Sequence, residues 1–312
     1  MAVRLLMKVS VDQIVDEGGG IRSFYFRPED RSRFPPTSPG AHTLLRVTKG
    51  MMRQYSLCAA PGDRRYRLAI RLDPAGRGGS RFMHESARVG DVFYLSYPQP
   101  DFPLEPDRPS YSFFAGGVGI TPILSFLYAL QGQACRIRLC YFVRAGDAVP
   151  FEQEVRALCP QVEIFNSALN GRANFEGLLR GSQGDAIYCC GSARFVAGVQ
   201  EAADALGTAA IQVESFVSGV KAGHLGEPFV VDLPRSRHIL HVPSDRSMLD
   251  VLLEDGVDID YACEAGVCRS CIVDVIEGEI IHRDQCLTEE ERRTVMTPCV
   301  SRGRGRIVIN SL

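Results

Sequence analysis

Three cysteines stand in the order Cys263-x4-Cys268-x2-Cys271, and a fourth, Cys299, follows in the same C-terminal stretch. Four thiolates at this spacing constrain a chain strongly, because they serve one small volume only if a tight loop supplies three and a distant strand the fourth. That is the ligand spacing of a plant-type [2Fe-2S] centre. The intervening Glu264-Ala265-Gly266-Val267 suits such a loop, with Gly266 free to take a positive φ or to approach a sulfide closely. Arg269 and Ser270 fill the last gap. Zinc usually takes two Cys-x2-Cys pairs or mixes in His, and no second pair exists here, so the cluster is the preferred reading.

The other cysteines, Cys58, Cys135, Cys140, Cys159, Cys189, Cys190 and Cys286, show no framework spacing, and the total of eleven is odd, which argues against a disulfide scaffold. The opening MAVRLLMKVS has too short an apolar run for a signal peptide and passes straight into a strand-like pattern. No apolar run approaches membrane-spanning length. Reduced thiols and an iron-sulfur cluster make the cytoplasm the expected compartment. A net charge of −2 gives no whole-chain case for nucleic acid or an anionic membrane, so any charged docking surface is local.

At 312 residues the chain has room for two or three domains. Its first hundred or so residues alternate in short runs, at 21–26, 43–47, 66–72 and 92–97, separated by Gly, Pro and Asp clusters. This predicts an antiparallel β-barrel. From Tyr111 the runs at 111–115, 136–142, 162–165, 186–189 and 211–216 are each followed, up to the last, by a stretch of helical period. Such alternation predicts a doubly wound parallel sheet of α/β type. After a Gly-rich joint at 219–226, strands return at 229–233 and 238–242, with a helix at 248–254 before the cysteine loop. The expected organisation is multidomain, with domains at 1–105, 106–222 and 223–312.

The second domain opens with Gly116, Gly117, Val118, Gly119, Ile120, Thr121 and Pro122, a glycine-rich turn between a strand and a helix. Glycines remove the Cβ atoms that would keep a dinucleotide from the backbone, and the helix start presents free N–H groups. In the first domain, Arg53, Gln54, Tyr55 and Ser56 precede Gly78, Gly79 and Ser80. An arginine for phosphate, a ring for stacking and a hydroxyl for a ring nitrogen suit a flavin, and the glycine segment suits its phosphate. Ala69 and Ile70 are counted with these flavin contacts. A plain surface turn remains open for the second segment, since such turns are common.

In this order the motifs resemble the ferredoxin reductase-like flavoproteins, and among them the phthalate dioxygenase reductase type, over essentially the whole chain. Arg53-Gln54-Tyr55-Ser56 is similar to the family's flavin motif, and the segment from Gly116 to Pro122 to its nicotinamide-side glycine motif. Cys190-Gly191 resembles its Cys-Gly pair, and Glu214-Ser215-Phe216 its acidic and aromatic pair ending the last strand. The resemblance implies a barrel that binds FMN, an α/β domain that binds NADH and a C-terminal α+β ferredoxin domain of β-grasp type. It also implies electron delivery to a Rieske-type oxygenase, with Cys190, Glu214 and Phe216 beside the nicotinamide and Ser56 beside the flavin. The metal ligands would be Cys263, Cys268, Cys271 and Cys299.

Arg144, after the second strand of the nucleotide domain, keeps NADPH open, because arginine is the usual partner of a 2′-phosphate. His84 reads as a helix surface residue, and Cys189 as a buried strand end. Two other functions stay in view: a stand-alone NAD(P)H-dependent reductase for another acceptor, and a redox-sensing module. Three cofactor motifs in electron-transfer order favour the oxygenase reductase.

Overall fold

The computed structural model describes residues 6–48, 51–60, 63–76, 78–144, 148–170, 173–208, 210–216, 226–261, 264, 266 and 268–310. The chain divides into two compact units, one of residues 1–45 and 55–218 and the other of 46–54 and 219–312. The predicted Gly-rich joint lies outside the described residues except for Gly226.

Strands β1 (Leu6–Gly18), β2 (Ile21–Pro28), β3 (His42–Thr48), β4 (Met51–Ser56) and β5 (Tyr66–Arg71) are followed by helix α1 (Gly79–Glu85) and β6 (Val92–Ser96). They form one sheet in the order β4-β3-β6-β1-β2-β5. Its two edges meet where Leu57 bridges Leu68 and Cys58 N donates to Arg67 O at 3.0 Å, closing the sheet into the expected barrel. The alternation read from the sequence fills the inside with Met7, Val9, Phe24, Phe26 and Leu68. Helix α1 begins inside the Gly78-Gly79-Ser80 segment. Its His84 is half-buried: Nε2 lies 2.8 Å from Ile70 O, and the ring meets Phe24 edge-on.

The next elements are β7 (Ser110–Gly116), a 3-10 turn (Gly117–Gly119), α2 (Ile120–Ala129), β8 (Arg136–Val143), α3 (Glu152–Leu158), β9 (Val162–Asn166), α4 (Ser167–Asn170), α5 (Phe175–Arg180), β10 (Ala186–Ser192), α6 (Ala193–Leu206) and β11 (Gln212–Phe216). The sheet order is β11-β10-β7-β8-β9 and every pair is parallel. Because β7 is followed by β8 on one side and β10 pairs on the other, the chain reverses direction of winding at β7, and a crevice opens at its C-terminal end. In the core beneath the sheet, Phe113, Phe126, Tyr188 and Phe102 pack with ring centroids 5.2–5.7 Å apart. Each buried ring contributes on the order of 1.5–3 kcal/mol over an exposed one.

Within the same unit, β5 Arg67 is nearly buried and donates to Ser23 Oγ (3.0 Å), Glu17 Oε1 (2.9 Å) and Glu154 Oε1 (2.7 Å), so a barrel strand is tied to α3. A charge buried this way persists only with such partners.

The last sheet contains β12 (Phe229–Leu233), β13 (His238–Val242), β14 (Val273–Ile281), β15 (Val295–Met296) and β16 (Arg302–Asn310), in the order β13-β12-β16-β14-β15. It is mixed: β12 runs parallel to β16, while the other pairs are antiparallel. Helix α7 (Met248–Glu254) falls where the sequence predicts it. A capping box starts it, with Ser247 Oγ accepting from Asp250 N at 3.0 Å and Asp250 Oδ2 accepting from Ser247 N at 3.4 Å. Its buried face, Met248, Leu249 and Leu252, joins Val231, Ile307 and Ile309 in one core.

Candidate functional site

The crevice at the end of β7 is shaped by what its glycines exclude. A Cβ on Gly119 would lie 2.2 Å from Cys190 O and 2.7 Å from Gly191 N, both backbone atoms, so no other residue fits without moving a strand. A Cβ on Gly116 or Gly191 would lie 2.8 Å or 2.7 Å from the Phe195 ring. The glycines read from the sequence as cofactor-approaching also serve to pack β10 and α6 against the turn. Gly117 takes φ of 56°. Thr121 Oγ1 donates to Val118 O at 2.9 Å, and Ile120, Thr121 and Pro122 form the buried first turn of α2.

Parallel pairing brings the other candidates alongside. Cys190 is in register with Ala115 on β7 and with Glu214 on β11, Gly191 with Ser215, and Ser192 with Phe216. Cys190 Sγ donates to Glu214 Oε2 at 3.7 Å. Burial pushes the Cys190 thiol well above its ordinary range, and Glu214 and Cys189 add to the effect. Burial also raises the Glu214 carboxyl to about 7, against the lowering bond from Cys190. Phe216 is partly buried against the core that contains Cys190. Ser215 Oγ, a position the sequence reading passed over, is buried without a hydrogen-bond partner. Cys189 lies fully buried in the core on the other face of the strand, as expected. Arg144 is exposed just beyond β8, on the strand beside Gly116.

Among the flavin candidates, Ser56 Oγ is buried with no partner, which suits a hydroxyl kept for a ligand. Ala69 and Ile70 are buried on β5, and the Ile70 carbonyl is already engaged by His84. The end of the same strand places Arg71 Nη1 3.9 Å from a Cβ built on Gly117, so β5 adjoins the glycine turn. The sequence reading missed Arg71, which no local motif marks. Gly78 is left-handed at the start of α1 with φ of 85°, Gly79 is buried, and Ser80 Oγ accepts from Asp73 N at 3.0 Å. Along β4, Tyr55 and Ser56 belong to the first compact unit, whereas Arg53 and Gln54 belong to the second. There Arg53 donates to Met52 O at 2.7 Å and lies over the Tyr261 ring at 5.4 Å.

The cysteine loop is left-handed at three described places, Glu264 (φ 54°), Gly266 (φ 71°) and Arg269 (φ 61°). For Glu264 and Arg269 this conformation is strained, and such strain is characteristic of ligand-holding loops. Gly266 has no room for a Cβ, which would lie 2.6 Å from Val300 Cγ2 and 3.0 Å from Asp284 Cα. Cys263 lies outside the described residues, and no group of three metal-holding side chains occurs among those that are described. Of the candidates described, Cys271 and Cys299 are buried and hydrogen-bonded to each other, and Cys299, burial and Cys268 all raise the Cys271 thiol. Cys268 Sγ lies 3.1 Å from Ser270 Oγ. The paired Cys271 and Cys299 sulfurs, with Cys268 near enough to act on Cys271, are donors of the type an iron-sulfur cluster takes. Cys286 contributes its carbonyl to the loop, accepting from Arg269 Nη1 at 2.6 Å. Arg269 also pairs with Glu291, whose carboxyl its hydrogen bond lowers to about 2.

Residues 231–302, which include all four candidate ligands, match the 2Fe-2S iron-sulfur cluster binding domain. Over nearly its full length the chain is similar to two curated proteins. It is 35% identical to the heme-dependent oxidative N-demethylase beta subunit of Ectopseudomonas mendocina (strain ymp), covering 98% of this chain and 99% of that one. It is 34% identical to the phthalate 4,5-dioxygenase oxygenase reductase subunit of Pseudomonas putida, covering 94% and 93%. A solved phthalate dioxygenase reductase, described as a modular structure for electron transfer from pyridine nucleotides to [2Fe-2S], aligns with a TM-score of 0.74 at 30% identity, covering 98% of each chain. The chain belongs to the phthalate dioxygenase reductase-like family of oxidoreductases that carry a C-terminal [2Fe-2S] domain.

Proposed function

We propose that this protein is the reductase component of a Rieske-type oxygenase system, with NADH as donor, FMN as flavin and the [2Fe-2S] centre as the exit. The carrying observation is the glycine-walled crevice where Cys190 on one strand meets Glu214 on the adjacent parallel strand, one position before the Gly191–Ser215 pair. The domains are read as a flavin barrel at 1–105, a nucleotide domain at 106–222 and a ferredoxin domain at 223–312, working in the cytoplasm where thiols stay reduced.

When bound, the flavin and the cluster together turn the two-electron hydride of a nicotinamide into single electrons. The chain's own residues do the placing. The backbone of the Gly116, Gly117 and Gly119 turn would receive the dinucleotide ahead of Ile120, Thr121 and Pro122, the Ile120 N–H being already bonded to Gly117 O. Cys190 and Gly191 floor the nicotinamide position, and Phe216 covers it. Glu214 holds a proton at its carboxyl near neutral pH, within reach of the Cys190 sulfur. Ser56 offers its unpartnered hydroxyl to the flavin ring, with Tyr55, Ala69 and Ile70 against it. Gly78, Gly79 and Ser80 serve the flavin's phosphate side, and Arg144 the adenosine side. Cys263, Cys268, Cys271 and Cys299 hold the irons.

The 35% identity to a subunit of a heme-dependent N-demethylase favours a second reading, in which the terminal acceptor carries heme and not a Rieske centre. One set of experiments separates the readings. Flavin released by heat is expected to co-migrate with FMN, and FAD as the main species overturns that assignment. NADH-driven reduction of a purified Rieske oxygenase supports the first partner class. Reduction confined to a heme protein transfers the proposal to the second.

A further inference from the structure

Beneath the cysteine segments lies a carboxylate that belongs to neither the nicotinamide nor the flavin region. The Asp284 side chain is wholly buried. Its Oδ2 accepts from Leu287 N at 3.0 Å and from Arg292 Nη2 at 3.5 Å. Its Oδ1 accepts from Ser301 Oγ at 3.4 Å and lies 3.3 Å from His282 Nδ1. Ser301 follows Cys299 by two positions, and its hydroxyl is also 3.2 Å from Thr297 Oγ1. On the opposite side, Gln285 N donates to Gly266 O at 3.0 Å, and the Asp284 backbone occupies the space a Gly266 Cβ would need.

Asp284 therefore touches both chain segments that deliver cysteines, the loop through its backbone and the Cys299 turn through its carboxylate. A neutral Asn or Ser could brace a turn at less cost, since taking a carboxylate out of water is expensive. Among the described residues the charged group bonded to this carboxylate is Arg292, which is partly exposed, lies 3.5 Å from Oδ2 and donates more closely, at 2.9 Å, to the Asp284 carbonyl, while the Arg269 guanidinium also feels the Asp284 charge. Reduction adds a negative charge to a cluster, so a fixed buried charge nearby opposes it; cluster potentials are set in part by such local charge and hydrogen bonding.

We propose that Asp284 is a positioning residue of the iron-sulfur centre, whose carboxylate braces the turn bearing Cys299 against the loop bearing Cys268 and Cys271 and whose charge keeps the centre's reduction potential low. The inference rests on the reading that these cysteines hold a [2Fe-2S] cluster.

The test uses the full chain, with iron content, visible absorption, the electron paramagnetic resonance of the reduced cluster, and separate midpoint potentials for cluster and flavin. Asp284→Asn keeps the shape and removes the charge. The expected result is full iron content, a cluster potential more positive than wild type, a shifted resonance signal and an unmoved flavin potential. A wild-type cluster potential at full iron content overturns the inference. If Asp284→Asn loses iron, Ser301→Ala decides, because it keeps the charge and removes one strut. A several-fold faster loss of visible absorption to a chelator, with the potential unmoved, supports the brace, and a wild-type lifetime overturns it. Absence of a [2Fe-2S] signature from the wild-type protein removes the cluster reading as well, which distinguishes the two failures.

Discussion

Cys190 Sγ and Glu214 Oε2 lie 3.7 Å apart on adjacent parallel strands, the cysteine fully buried and the glutamate partly so, the thiol donating to the carboxyl. They are 24 positions apart in the chain and meet because β10 and β11 run in register through Cys190 and Glu214. Burial makes the thiolate inaccessible at neutral pH and leaves Glu214 as the group that titrates near 7.

That titration predicts a pH dependence of stability. The folded protein holds the Glu214 proton up to about pH 7, against an ordinary value of 4.5. A raised carboxyl pKa means that its contribution is fully present below the unfolded value and is lost as pH rises through the folded one. The loss amounts to on the order of 3 kcal/mol at one pKa unit per 1.36 kcal/mol. Between about pH 5 and pH 8, the thermal midpoint of wild type is expected to fall relative to that of Glu214→Gln. Parallel pH profiles for the two proteins would remove the assignment.

Gly119→Ala places a methyl group 2.2 Å from the Cys190 carbonyl oxygen. Neither partner is a flexible side-chain end, so the turn or β10 must shift, at a cost of roughly 1–3 kcal/mol in stability. NADH binding, followed by equilibrium titration, is expected to weaken while iron content stays at wild-type level. Unchanged nucleotide affinity would refute the glycine's role.

Cys299→Ser is expected to abolish the cluster's visible absorption, and Cys286→Ser to retain it. The geometric basis is that Cys299 bonds to Cys271, whereas the bond from the cysteine loop to Cys286 reaches its backbone carbonyl. A full chromophore in Cys299→Ser would return the fourth ligand to Cys286.

Cys268→Ser tests the order of electron flow. In rapid mixing, NADH-driven bleaching of the flavin is expected to persist, since the glycine turn lies in the other compact unit. Reduction of a protein one-electron acceptor such as cytochrome c should fall by at least about tenfold, a size of effect that even outer-shell changes at metal sites can produce. Undiminished delivery would make the flavin itself the exit.

The cysteine spacing, the barrel-like alternation and the strand-helix alternation were legible because each is a local pattern of side-chain type along the chain. The helix at 248–254 was equally local and lies where its residues say. The inward contacts of the half-buried His84 were not legible, because they depend on what packs against the helix, here the Ile70 carbonyl and Phe24. Ser215 and Arg71 carry no motif; one gains meaning from parallel pairing beside Cys190-Gly191, the other from the approach of β5 to Gly117. Asp284 is the extreme case, an ordinary acidic residue in sequence whose burial between Gly266 and Ser301 follows only from how the last sheet folds. The chemistry the chain can carry is written in residue types at fixed spacings. Which charges are buried, and so where they titrate and what they oppose, is decided by desolvation and by neighbours that only the tertiary structure brings within a few ångströms.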